Sequence, residues 1–258
     1  MALDHLSLAT VPITPLFEGT TLPEATGFVW KRGDRHYLIT NWHVASATHL
    51  FTKKLLRTDG CRPNVFRCHF IIRIGNYDRA RVDIPIRDRD DNPIWLVHPL
   101  QDRQPVDIVA IPLAADELRV SVALLPVNDL TPGKLAIIVG MEVFILGYPF
   151  GSAPPAFPVW KRGSIASEPD LVKLTTRYYL VDTASRPGMS GSPVILRSRN
   201  NHVLESSNWV VTDDRKPIDR IIGIYSGRTD DLPGEAQIGM VWHADYIDEI
   251  IDHGKIDV

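Results

Sequence analysis

Glycine and proline interrupt this chain throughout, 17 and 20 of them in 258 residues, and mainly short runs rich in β-branched and aromatic side chains lie between them. Both residue types break helical patterns and bound strands. The first half therefore reads as strands over Phe28–Lys31, Tyr37–Thr40, Phe66–Ile74, Arg81–Ile86, Ile94–Val97 and Ile108–Leu113. The second half resumes with Glu142–Gly147, Val159–Ser167, Tyr178–Asp182, Pro193–Leu196, Arg220–Ser226 and Ile238–Trp242. Only the C-terminal stretch Ala244–Asp252 carries a helical period, with Tyr246, Ile247, Ile250 and Ile251 at three- and four-residue steps. Many short strands with almost no helix imply an all-β fold of closed or sandwiched sheets.

Gly33-Asp34, between the first two runs, is a hairpin signal. Leu118–Leu135 is broken by Pro126 and Thr131-Pro132-Gly133 and reads as the connection between two halves. Ser198–Pro217 is a polar insertion with a short apolar core at Trp209–Val211, expected to form an elongated hairpin or a surface loop. A second polar loop is expected over Asn76–Asn92, where Arg87-Asp88-Arg89-Asp90-Asp91 reads as a solvated turn.

A hydrophobic share of 44% is enough for a sizeable core. With a net charge of −3, nothing is basic enough to suggest nucleic acid or an anionic membrane as the main partner, and neither is expected. No apolar run approaches the roughly 18 residues of a membrane span. The segment Met1–Pro15 lacks the basic and apolar regions of a secretory signal, so a reducing, cytoplasmic setting is the expectation. Cys61 and Cys68 then read as free thiols and make a poor zinc site on their own.

The residues that suggest chemistry centre on Gly188-Met189-Ser190-Gly191-Ser192-Pro193. Glycine on both sides lets the backbone turn sharply and approach a ligand closely. Such a turn can aim the Gly188 and Ser190 amides at a developing oxyanion. In isolation the motif could equally be a glycine-rich β-turn. A serine nucleophile needs an adjacent base, and His43 lies just after the apolar run Leu38–Ile39, ahead of the small residues Ala45, Ser46 and Ala47. A third group must hold the imidazole tautomer. Asp107 heads the apolar run Ile108–Ile111, where an unpartnered carboxylate would be costly to bury. Asp78, Asp83 and Asp102 are rivals in more polar stretches.

Together these segments resemble the trypsin-like serine peptidases of chymotrypsin fold, most of all the bacterial high-temperature-requirement branch. Thr40-Asn41-Trp42-His43-Val44 is similar to its T-N-x-H-V segment, and Asp107-Ile108-Val109 to its D-[IL]-[AV]. Asp182-Thr183-Ala184 with Pro187 to Pro193 is similar to the stretch around its serine. The order His, Asp, Ser is the family's, with separations of 64 and 83 residues. The resemblance implies two six-stranded antiparallel β-barrels, the first about 20–120 and the second about 135–243, with a C-terminal helix about 244–252. It implies a cleft between them, a protein or peptide substrate and no cofactor. The residue before the scissile bond would meet Ser185 and Arg186 and the strand around Tyr225, Ser226 and Gly227, with a small or medium apolar preference as the default.

Met189 departs from the aspartate that precedes the serine in trypsin-type zymogens, so activation by a freed N-terminal amine is not expected. The chain ends 16 residues after Trp242, and no appended peptide-binding module is expected either. A regulatory partner protein is conceivable, with the 198–217 insertion as a lid or docking surface. Two other readings stay open: a non-catalytic relative, which would lack a member of the His-Asp-Ser set, and an α/β-hydrolase, which would place a helix after its serine and its histidine last.

Overall fold

The computed structural model describes residues 3–74, 77–118, 121–149, 151, 157–174, 177–184, 186–199, 201–204, 209–211, 217–228 and 237–257. The first half contains α1 (His5–Ala9), β1 (Thr10–Phe17), β2 (Thr20–Thr21), β3 (Ala25–Arg32), β4 (Arg35–Thr40), α2 (Trp42–Ser46), β5 (Val65–Ile71), β6 (Arg79–Pro85), β7 (Leu96–Val97) and β8 (Val109–Leu113). The connection contains α3 (Ala115–Leu118) and α4 (Val127–Leu130). The second half contains β9 (Glu142–Gly147), β10 (Val159–Ile165), α5 (Pro169–Leu174), β11 (Tyr178–Asp182), β12 (Pro193–Ser198), β13 (Asn201–Val203), β14 (Trp209–Val211), β15 (Ile218–Arg228) and β16 (Ile238–His243). The chain ends with α6 (Asp245–His253) and β17 (Lys255–Ile256).

The second half is a closed barrel in the order β10-β11-β16-β15-β12-β9. The strand ladders of the first half do not show the expected closed six-stranded barrel. They form a nine-stranded sheet in the order β17-β7-β8-β4-β3-β1-β5-β6, with β2 paired to β1. Among the described residues no ladder joins β6 to β7. The only pairing across this seam among the described residues lies past the end of β6, where Arg87 bridges Pro93 and the Ile94 N–H donates to the Ile86 carbonyl at 3.1 Å, and β7 is only two residues long. Side chains still fill this half: Phe66, Ile84, Ile86, Trp95 and Val97 share one core with Phe28, Leu38 and Ile111. Inside the barrel, Val143, Ile145, Tyr179, Val194, Ile222 and Val241 form a second core.

Strand β1 has no counterpart in the sequence reading, because Pro12 and Pro15 argue against a central strand. It is nevertheless central, and it changes partner part-way. Residues Thr10–Ile13 pair with β3 and residues Ile13–Leu16 with β5, so each proline serves one ladder only. Helices α1 to α5 are four to six residues long, too short to show a period, whereas α6 is the expected 244–252 helix shifted by one residue toward the C-terminus. Strand β6 also occupies much of the loop expected over 76–92. The 198–217 insertion carries the small hairpin β13–β14. Among the described residues no helix is long and apolar enough to cross a membrane.

After the barrel, the chain returns to the first half. Ile247 and Ile250 of α6 are buried in the first core, the Trp30 indole donates to Asp248 at 2.9 Å, and β17 pairs with β7. The indoles of Trp42 and Trp95 both donate to Asp257, at 2.7 and 3.1 Å. The C-terminal segment thus braces α2, which carries His43.

Candidate active site

Strands β4 and β8 are antiparallel, with Thr40 opposite Val109. The end of one strand therefore lies beside the start of the other. His43 sits in α2, just past Thr40, and Asp107 sits just ahead of Val109. Asp107 Oδ2 is 2.6 Å from His43 Nδ1, and Oδ1 accepts the His43 backbone N–H at 2.8 Å. Asn41, wholly buried, donates through Nδ2 to the Asp107 carbonyl at 2.8 Å. The Asp107 side chain is 2% exposed and the imidazole 21%. Burial alone would lower the imidazole pKa, but the Asp107 charge and hydrogen bond outweigh it and raise it above the ordinary value. Burial likewise acts to raise the Asp107 pKa, and the attraction and hydrogen bonds of His43, with the Ser226 hydroxyl, hold it below the usual range. The rivals lie elsewhere: Asp83 pairs with Arg67 at 2.8 Å, and Asp102 with Lys255.

Ser190 lies in the turn that leads into β12. Gly188 and Gly191 there have φ of +94° and +84°, in the left-handed region that favours glycine. A Cβ on Gly188 would stand 2.3 Å from the Tyr148 carbonyl oxygen, and one on Gly191 2.0 Å from that of Thr26. Both obstacles are backbone and cannot swing aside. Among the described residues, no acceptor takes the N–H of Gly188 or Ser190.

Thr26 ties this turn to the first half, which nothing in the sequence flagged. Its N–H donates to the Ser190 carbonyl at 2.8 Å. Its hydroxyl donates to the Gly188 carbonyl at 2.8 Å and accepts the Tyr148 N–H at 3.1 Å. The Thr40 hydroxyl in turn donates to the Thr26 carbonyl at 2.8 Å. His43 and Ser190, brought from opposite halves, line one cavity of about 250 Å³.

The sequence profile of the trypsin-like peptidase domain matches residues 25–204. The chain belongs to that family. This peptidase is a serine endopeptidase. Its fold is similar to the active form of the Rv3671c protease from M. tuberculosis, at 18% identity and a TM-score of 0.50, covering 98% of this chain and 85% of that one. It is also similar to the HtrA-type protease AlgW with a tripeptide, at 15% identity and a TM-score of 0.50, covering 95% of this chain but only 60% of the other. No curated protein sequence matches the peptidase. A strand, β12, follows the serine, which removes the α/β-hydrolase alternative.

The residues expected to meet substrate fare differently. Ser185 lies outside what is described. Arg186 is exposed. The Tyr225 ring is 1% exposed and belongs to the barrel core, so only its backbone is at hand. That backbone already exchanges hydrogen bonds with the nucleophile turn, accepting from Gly191 N–H and donating to the Ser192 carbonyl, both at 2.9 Å. Gly227, with φ of +110°, has open space where a side chain would be. A register shift between Tyr225 and Gly227 bulges β15 at Ser226. The Ser226 hydroxyl consequently meets Asp107 Oδ2.

Proposed function

We propose that the peptidase cleaves proteins or peptides by acyl transfer through Ser190, His43 and Asp107. The observation that carries this reading is the buried pairing of Asp107 with His43 Nδ1, which leaves Nε2 as the ring nitrogen for Ser190. Asp107 accepts from Nδ1–H and selects the tautomer whose Nε2 is a base. Nε2 takes the Ser190 proton as Oγ attacks the scissile carbonyl, then returns it to the leaving amine. Among the described residues the amides of Gly188 and Ser190 have no other acceptor, which leaves them to hold the oxyanion. Water repeats the cycle and releases the acyl group. The substrate segment ahead of the bond runs along Ser226–Gly227 as an added strand. The first-half sheet serves as the first of two barrels, its seam between β6 and β7 spanned by the Arg87–Pro93 bridge and by side-chain packing. Ser190→Ala should abolish labelling by a fluorophosphonate probe and reduce proteolysis by about 10⁴-fold or more. Retained labelling would refute the role of Ser190.

No N-terminal amine is needed for activity in this reading. Met189 is 2% exposed within the barrel core and offers no carboxylate to pair with one. Extending the chain by a few residues before Met1 should leave kcat/KM unchanged. Loss of activity on extension would overturn this.

A further inference from the structure

The cavity beside His43 and Ser190 has a role that acyl transfer alone does not assign. Its walls are mainly apolar and come mainly from the first half, with Leu22, Val44, Ala47, Leu56 and Pro63 among them. Of the described residues of the second half, Pro187, Gly188 and Ser190 reach it and none of β15 does. The acyl part of the substrate lies along β15, so this cavity stands on the other side of the bond. His43 must deliver its proton to the departing amine, and His43 is itself a wall. The residue that carries that amine is therefore held at the mouth of the cavity.

We propose that the cavity receives an apolar side chain of the first residue after the cleaved bond, and that Leu22 and Leu56 set this preference. The inference rests on the acyl-transfer reading above. Its size is adequate: an apolar cavity of roughly 150 Å³ can hold a benzene ring, and this one measures about 250 Å³. Leu22 is 5% exposed and forms a fixed wall, whereas Leu56 is 51% exposed. A bound isobutyl or phenyl group would cover Leu56 and remove both surfaces from water. Charge works against an acidic occupant. Glu24 lines the cavity, and the guanidinium of Arg57 is already engaged by Asp59, with Nε to Oδ1 at 3.0 Å.

The test is digestion of a peptide library drawn from a whole proteome, with cut sites mapped by mass spectrometry. Leu, Ile, Met and Phe should exceed Asp and Glu at the first position after the bond by about tenfold or more. Leu56→Arg, at an exposed site that tolerates change, should narrow that ratio and admit acidic residues, a gain that misfolding cannot imitate. A flat first position in the wild type overturns the proposal, as does a wild-type pattern retained by Leu56→Arg. If Ser190→Ala cuts the same bonds, or the wild type cuts none, the acyl-transfer reading fails and takes this proposal with it.

Discussion

The two halves supply the reactive groups in different ways. The first half holds His43 and Asp107 with side-chain hydrogen bonds in a sheet whose strand ladders, among the described residues, do not close into a ring. The second half holds Ser190 with backbone geometry at the lip of a closed barrel. A base and its carboxylate need a tuned electrostatic setting, and a buried pair supplies that. A nucleophile beside two amides needs a fixed backbone shape, and glycine turns locked against carbonyl oxygens supply that. The first half should thus fail through charge and pH, the second through sterics.

The largest effect that probes this contrast is Asp107→Asn, expected to cost about 10⁴-fold in kcat. Because His43 titrates above its ordinary value of 6.5, the acid limb of wild-type kcat/KM should lie above pH 6.5. In Asp107→Asn only burial would act on the ring, and the limb should move below that of the wild type. Stability follows the same pair. The depressed Asp107 pKa contributes above its unfolded value near 3.8 and is lost as pH falls through the folded value. The raised His43 pKa contributes fully below 6.5 and is lost as pH rises through the folded value. The stability deficit of the variant, measured by denaturant unfolding, should therefore be greatest between about pH 4 and 6.5. An unmoved acid limb would break the comparison.

On the other side, Gly191→Ala should reduce kcat/KM by about 100-fold, since an ångström of displacement in the turn is enough. It should also lower stability by about 1–3 kcal/mol through strain and the clash with Thr26. Gly19→Ala is the matching control: its φ is +84° but nothing stands within 4 Å, so it should carry the strain without the loss of rate. The smallest effect belongs to the link between the halves. Thr26→Val removes the hydroxyl between Gly188 and Tyr148 and should cost about tenfold in kcat/KM and about 1 kcal/mol in thermal unfolding. If Thr26→Val and Gly191→Ala cost the same, the turn is held from across the cleft rather than by its own glycines.

Much of the site was legible in local chemistry. Gly188 and Gly191 mark a turn that only glycine can make, and an aspartate heading the apolar run Ile108–Ile111 asks for a partner. Asn41 stood inside a matched segment without a role, and its hydrogen bond to the Asp107 carbonyl explains its place there. The sequence marks Ser226 only as a substrate contact; that its hydroxyl also meets Asp107 follows from the bulge in β15. Strand β1 was hidden by two prolines that are harmless only because the strand changes partner between them.

From its residues alone, the chain's β character, the order of its reactive groups and the turn around Ser190 follow, because strand punctuation, glycine conformation and the need of a buried charge for a partner are local properties. The first-half sheet, the brace from Asp257 to Trp42, the Thr26 link and the cavity beside His43 belong to the tertiary structure. Each depends on residues brought together over long separations, 215 in the case of Asp257 and Trp42. Register and packing decide such meetings, and neither is written in any one segment.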